Sequence, residues 1–479
     1  MKRLIIKDLA IVVVTATVFI SCKKTVELDP THTINGDDFF TKVDDYDYAL
    51  TGAYQRLKQN SIYAGVNGGS VYLSAPDIAA DNFYSGGSAN LGAMNTTFEW
   101  IYAADDPLVQ GAWDASYLVI QQANLSMRGI DRFVATDGLK VNRIKGQALA
   151  LRAHAHLDLL RWWASDYDRN SASLGIPYVD KFDVEQMPAR LTVKESYDKI
   201  EADLKTAKAL LSNTDKPIQS TSATDGSARA YIDGMVCNAI LARMYLYANV
   251  LDSAIKYATL AINARPLATI DEFPGIWDDS NTDEVIWSIK FQAGNAALIR
   301  EIYQVSGDKQ AWVPVNAILG LYEANDVRGQ VYFNNVAGRT VLTKYFAKAS
   351  AATNPDGIVD FKAYRTGEMY LIRAEAYARK GGLDAQSLDD LNTLRDARGA
   401  SMGSETGNAL KTAIQTERRK ELVAEGHRFF DLKRTTRVVN RTQNCSNYCT
   451  LGSTSRAWAF PIPQTEMLAN RNMVQNPGY

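Results

Sequence analysis

Apolar residues recur at helical spacing in separated stretches, with long aperiodic stretches between them. In 145–164 the period is carried by Leu149, Ala153, Leu157 and Leu160, and farther on by Met369, Ile372 and Ala376. The segments "LRAHAH" (151–156) and "IRAEAY" (372–377) align without a gap. Taking Met235 as position 1 of a 34-residue unit, Leu241, Ala242, Tyr245, Ala254, Ala261 and Pro266 fall at positions 7, 8, 11, 20, 27 and 32. That is the tetratricopeptide alternation of small and large residues, which lets two helices nest. Asn238 and Ala258 stand where Trp and Phe are usual. The spacing predicts a further pair near 44–59 and 115–133. It also predicts a partner for 145–164 at 192–211, opened by Thr192 with Glu195 three residues later, a capping box.

The expected fold is mostly α: a tetratricopeptide-like helical-repeat scaffold of about four helix pairs, with a loop-rich lobe carrying a few short strands. The lobe would come from 60–113, 165–190, 267–363 and 436–479, which lack helical period and are rich in Gly, Asn, Asp, Tyr and Trp. Long irregular insertions of this kind usually carry function.

The amino terminus stands apart. Lys2, Arg3 and Lys7 precede the apolar run "LAIVVVTATVFI" (9–20), which has signal-peptide length. Ser21 before Cys22 suits a lipobox, although Phe19 replaces the usual Leu. Residues 1–21 therefore read as a lipoprotein signal peptide, with Cys22 lipidated and 22–40 as a tether; an ordinary signal peptide cut nearby is the alternative. Lys23 is not the aspartate that typifies inner-membrane retention.

Composition narrows the classes. Of 479 residues, 46% are hydrophobic and 22% charged, and the net charge of −2 gives no basic footprint for nucleic acid. Cys445 and Cys449 lie in the polar stretch "RTQNCSNYCT" and are expected to form a disulfide outside the cytoplasm. A metal or redox pair would need more ligands or a CxxC spacing. Cys237 falls in a helical pattern as a buried small hydrophobe.

Motifs for catalysis are absent: the chain has no GxSxG, no phosphate loop, no HExxH and no GxGxxG. Asp279, Asn281 and Asp283 begin like a calcium loop, but Glu284 and Lys290 stand where Gly and Glu are needed. His154 and His156 are two apart on a helix and point in different directions; His427 and Asp431, four apart, read as a hydrogen-bonded pair. No cofactor or metal is expected.

The stretch "ERRKELVAEGHRFFDLKRT" (417–435) places Glu417, Glu421 and Glu425 on one stripe of a predicted helix. Like charges so spaced repel by about 0.2–0.5 kcal/mol per pair, so a partner must neutralise them. A di-metal site would want Glu-x-x-His, and the spacing here is Glu425-x-His427. Arginine partners are the preferred answer, from Arg373, Arg395, Arg398, Arg418 and Arg428. The stripe then reads as a strut that docks this helix onto the repeats.

Aromatics are the remaining candidate chemistry. Asp81, Asn82, Phe83 and Tyr84 in "ADNFYSGG", with Trp100, Tyr303 and Trp312, could form a shallow aromatic platform. Such a platform stacks on the C–H face of a sugar while polar neighbours bond its hydroxyls, which suits a neutral glycan. For each single aromatic, burial in the core is the alternative.

Together, the 417–435 stretch, "LRAHAHLDLLRWWASDYDRNSASLGIPYV" (151–179), "YLIRAEAYARKGGLDAQSLDDLNTLRDARG" (370–399) and the ending "FPIPQTEMLANRNMVQNPGY" (460–479) resemble the SusD/RagB family of outer-membrane nutrient-binding lipoproteins. The resemblance spans essentially the whole mature chain. It implies an N-terminal SusD-like region at 41–266 and a C-terminal SusD/RagB region at 267–479. It implies a non-catalytic subunit on the cell surface that captures glycan, or peptide in some members. It further implies a partnership, as a lid, with a TonB-dependent SusC-like transporter. Two rivals remain: a repeat scaffold binding only proteins, and an enzyme using Asp77 and Asp81 as its carboxylate pair.

Overall fold

The computed structural model describes residues 39–58, 62–64, 70–86, 93–183, 185–219, 228–295, 305–306, 309–336, 338–351 and 357–479. The expected signal peptide, Cys22, the tether up to residue 38, and Tyr303 lie outside them.

Helices form where the periodic stretches placed them. The scaffold runs α1 (Val43–Arg56), α2 (Pro107–Leu125), α3 (Val134–Trp163), α4 (Val193–Leu210), α5 (Gly234–Tyr247), α6 (Leu251–Ala264), α7 (Thr366–Lys380) and α8 (Asp384–Asp396). They pack as successive pairs, α1 on α2, α3 on α4, α5 on α6 and α7 on α8, and each pair also touches the next. Every side chain from Val236 to Tyr247 of α5 is buried, so that helix is apolar all round and lies in the core. The Thr192–Glu195 capping box opens α4.

Three boundaries differ from expectation: α3 begins at Val134 and not 145, and both ends of α2 move. α2 begins at Pro107, not 115, because Asp106 caps Leu108 N and proline suits the first helical position. It ends at Leu125, and Gly129 turns the chain with φ +73° into a separate short helix at Ile130–Phe133.

The expected single helix over 417–435 is broken. α9 (Gly407–Glu421) and α10 (Arg428–Thr435) are separated by a turn in which Ala424 and Gly426 have φ of +56° and +79°. A Cβ at Gly426 would lie 1.9 Å from the Tyr72 carbonyl oxygen, so the helix gives way to a close backbone approach that only glycine permits. Glu425 therefore sits in the turn, off the stripe shared by Glu417 and Glu421.

The three glutamates nonetheless meet in one buried ion cluster. Arg365 reaches Glu284, Glu421 and Glu425 at 2.6–2.8 Å. Arg398 grips both oxygens of Glu284, at 2.9 and 2.7 Å, and Glu421 at 2.9 Å. Arg328 holds Asp326, Glu417 and Glu421. Lys344 takes Glu425 and Lys420 takes Asp326. Five cations face five anions, all buried, so the cluster is neutral as a unit. Of the arginines singled out from sequence, Arg398 and Arg395 do bond the stripe, whereas Arg373 pairs with Asp390, Arg418 with Asp431 and Arg428 with Asp81. Burial alone would raise the Glu421 carboxyl; Arg398, Arg365 and Arg328 hold it well below the usual carboxylate range.

The lobe uses short antiparallel strand pairs: β1 (Phe83–Ser85) on β3 (Trp312–Pro314), β2 (Val285–Ile289) on β6 (Phe361–Arg365), β4 (Phe333–Val336) on β5 (Arg339–Leu342), and β7 (Val439–Asn440) on β8 (Thr450–Leu451). β6 delivers Arg365 directly into the ion cluster, and β2 begins just after Glu284.

Glu421→Gln would leave Arg365, Arg398 and Arg328 short of a carboxylate in the interior. The expected loss is about 3–5 kcal/mol of stability, read by urea unfolding. Acid should destabilise in stages. Burial lowers the imidazoles of His154 and His156 to about 4 and about 3, so stability is complete above their ordinary value of 6.5 and falls below it. Burial opposes ionisation of Glu375, but Arg434 and Arg418 hold its carboxyl down to about 2; that contribution is complete above 4.5 and lost as pH falls through 2. Melting temperature should therefore decline from pH 6.5 downward and fall again below 4.5.

Candidate functional site

β1 lies at the heart of the candidate segment, and alternation along it sets which side chains face inward. Phe83 is 1% exposed and Tyr84, the next residue, is only half-buried. Across the pair, Tyr84 stands opposite Val313, and Trp312 opposite Ser85. Trp312 is 1% exposed, with its ring 5.1 Å from that of Phe98.

Trp100 is also buried, at 8% exposure, with a left-handed backbone of φ +57°. Its indole N–H donates to Ala79 O at 2.9 Å. The expectation of a platform made from Phe83, Trp100 and Trp312 is thus corrected: these rings are packing, because the short strands have too little other apolar surface to hold the lobe down. Among the described members of the set, Tyr84 is the aromatic that stays only half-buried.

The polar candidates are committed too. Arg428 forks onto both oxygens of Asp81 at 2.7 and 2.8 Å. Asn82, fully buried, accepts from Arg419 Nε at 2.7 Å and donates to Asp77 at 2.7 Å. Burial raises the Asp77 carboxyl to about 6, against the Asn82 hydrogen bond. Asp77 and Asp81 therefore do not make an acid–base pair across an open cleft: one is sealed and the other is held in an arginine fork.

Arg441 completes the foundation. Its guanidinium lies between the Phe98 and Trp100 rings, 3.8 and 4.0 Å from their centroids. It donates to the carbonyls of Ala80, Phe98, Tyr448, Ile78 and Ala79 at 2.7–3.2 Å. Burial lowers it to about 9. Sequence reasoning missed this residue, as it missed what Arg419 and Arg428 hold. Tyr448 apart, their partners lie 337 to 363 residues away, and no local pattern signals them.

Other candidates resolve as follows. His154 bonds Tyr63 and Tyr364, and His156 bonds Arg152 O and Val179 N, so the two imidazoles do diverge. His427 and Asp431 are not a side-chain pair: charge-assisted bonds from Arg418 and Arg434 occupy Asp431. Asp279 is taken by Lys362. Among the described residues no group of three or more His, Cys, Asp or Glu is placed to hold a metal. Cys445 and Cys449 are joined in a disulfide, and Cys237 is a buried free thiol. On the scaffold, a recess of about 690 Å³ opens between α1, α3 and residues 216–219, presenting Tyr48 and Tyr231.

Comparison with known proteins follows the same outline. The family model described as the SusD family matches residues 302–479, and the model described as "starch-binding associating with outer membrane" matches 38–246. A SusD-like protein of Formosa agariphila is 23% identical, covering 98% of this chain and 98% of its own. Among solved structures, a SusD superfamily protein of Bacteroides thetaiotaomicron has a TM-score of 0.79 at 25% identity, covering 91% of this chain and 100% of its own. A putative sugar binding protein of Bacteroides vulgatus has a TM-score of 0.76 at 26% identity, covering 91% of this chain and 98% of its own.

The geometry separates foundation from surface. Trp100→Ala should cost about 3–5 kcal/mol of stability, as buried Trp truncations do, while Tyr84→Ala should unfold close to wild type. Arg441→Met should speed amide hydrogen exchange at 78–80 and 98–100 while leaving α5 protected.

Proposed function

This chain belongs to the SusD/RagB family, and from that premise we propose that it captures an oligo- or polysaccharide at the outer membrane and passes it to a TonB-dependent SusC-like transporter. It acts by binding, not by catalysis. The observation that carries the reading is the match of 38–246 to a starch-binding, outer-membrane-associated family. The likeness to a putative sugar binding protein supports it. So does the chemistry of the segment around β1, where Asp81 is held by Arg428, Asp77 is sealed against Asn82 and Tyr84 is only half-buried.

Capture followed by delivery needs modest affinity, so an open surface serves better than a closed pocket. A rigid lobe offers such a surface without an ordering cost at each binding event. The transporter would dock on the repeat face, where the α1–α3 recess presents Tyr48 at 67% exposure beside Tyr231. Exposed aromatics are enriched at protein interfaces. Among the described residues no helix is long and apolar enough to cross a membrane. Attachment is through lipid on Cys22, on the outer face of the outer membrane, a reading supported by the apolar run 9–20 and by Ser21 before Cys22.

Affinity electrophoresis against a panel of polysaccharides tests capture directly. Retardation by a polymer, weakened in Tyr84→Ala, is the expected result. Retardation by none, with binding to peptides instead, would replace the glycan by a peptide ligand. Binding to the transporter alone would leave only a protein scaffold. Cys22→Ala should abolish incorporation of labelled palmitate and shift the protein out of the membrane fraction.

A further inference from the structure

Among the described residues, the aromatic that the lobe leaves most exposed is one that the pattern around β1 never pointed to. Tyr448 is 45% exposed, whereas Phe83, Trp100 and Trp312 are at 8% or less. It sits in a loop between β7 and β8 that is fixed three ways. Cys445 and Cys449 close it with a disulfide, their Cα atoms 5.6 Å apart. The Arg441 backbone N–H donates to Cys449 O at 2.8 Å, and its guanidinium holds Tyr448 O at 3.0 Å. Gln443 Oε1 accepts from Asn316 N, two residues past the end of β3.

The backbone is left-handed at Asn444 and Tyr448, with φ of +48° and +57°. An aromatic residue rarely adopts that conformation, and it persists where surroundings over-determine it. The loop thus holds a tyrosine ring outward in a fixed pose. It does so beside Phe98, because one Arg441 nitrogen bonds the carbonyls of both residues.

The surrounding chemistry is unusual for this chain. From Thr442 to Ser455 no side chain carries a charge, although charged residues make up 22% of the sequence. Asn444, Ser446, Asn447 and Thr450 are exposed. A planar ring ringed by uncharged donors and acceptors matches a pyranose, whose C–H face stacks and whose hydroxyls hydrogen-bond. The side chains of 442–455 give no charge to pair with uronate, sulfate or peptide termini, and the Arg441 guanidinium behind them is buried and spent on backbone carbonyls.

We propose that the disulfide-closed loop 441–450 is a glycan-contacting element of the lobe, with the Tyr448 ring as its stacking plane and a neutral polysaccharide as its ligand. This rests on the glycan-capture function above and adds to it a contact residue, a ligand charge class and a structural requirement for the disulfide. Freed of the disulfide, the loop would lose its pose, and part of the binding energy would go into ordering it again.

The test uses the full chain in detergent, run on affinity gels containing amylopectin, arabinoxylan, laminarin or polygalacturonate. Any retained polymer is then titrated against Tyr448→Ala, Tyr448→Phe, Tyr84→Ala and Cys445→Ser/Cys449→Ser. Expected is retention by a neutral polymer, about tenfold weaker in Tyr448→Ala and little changed in Tyr448→Phe. The double serine variant should also bind more weakly at an unchanged melting temperature. Wild-type retention that Tyr448→Ala leaves intact overturns the loop assignment and spares glycan capture. Retention by polygalacturonate alone overturns the neutral-ligand assignment. Retention by no polymer overturns glycan capture itself, and the loop assignment with it. Tyr448 lies outside the hydrophobic core, so its truncation leaves a folded protein for comparison.

Discussion

The ion cluster of Arg365, Arg398, Arg328, Lys344 and Lys420 with Glu284, Glu421, Glu417, Glu425 and Asp326 is the constraint from which the rest of the structure hangs. Buried charge is costly unless every member is paired, and a half-satisfied cluster is worse than an apolar one. Satisfying this one requires α8, α9, the segment before β2, the end of β6 and the turn after Glu421 to arrive together. A Cβ on Gly367 would lie 2.7 Å from a Glu421 oxygen, which shows how closely α7 approaches the same point.

From that point, arginines carry order outward to the lobe. Arg419 on α9 and Arg428 at the start of α10 fasten Asn82 and Asp81, and Arg441 fastens the carbonyls of 78–80. Each is a rigid fork or a planar donor set, which fixes direction as well as distance. Short strands of two to five residues would be marginal alone. Anchored this way, they present a surface whose shape exists before any ligand arrives. Under the proposed capture and delivery, little ordering would oppose binding and little relaxation would oppose release.

The helical half of the molecule was legible because its signals are local. The capping box at Thr192, the small and large alternation from Met235 and the paired "LRAHAH" and "IRAEAY" segments each report on neighbours within a few residues, and each lies in a helix of the scaffold. The arginine answer to the glutamate stripe was legible in kind, since no metal spacing was available. Its membership was not: Arg328 comes from the aperiodic 267–363 segment, Arg365 from the end of β6 just beyond it, and Glu425 left the stripe at a turn that a distant carbonyl demanded. In the lobe, the aromatic content of 60–113 marked a special segment but not which rings face outward.

Sequence alone, then, determined the repeat scaffold, the family, the cysteine pair and the need to neutralise three glutamates, because periodicity, motif and charge count are properties of neighbouring residues. Tertiary structure decided which aromatics are buried, which arginine meets which carboxylate, and where the 417–435 segment breaks. Those outcomes depend on competition for the same space and the same charges by residues hundreds of positions apart. Tyr448 is the clearest instance: its sequence neighbourhood marks a polar loop between two cysteines but not which way the ring faces, and the packing of the lobe leaves it exposed.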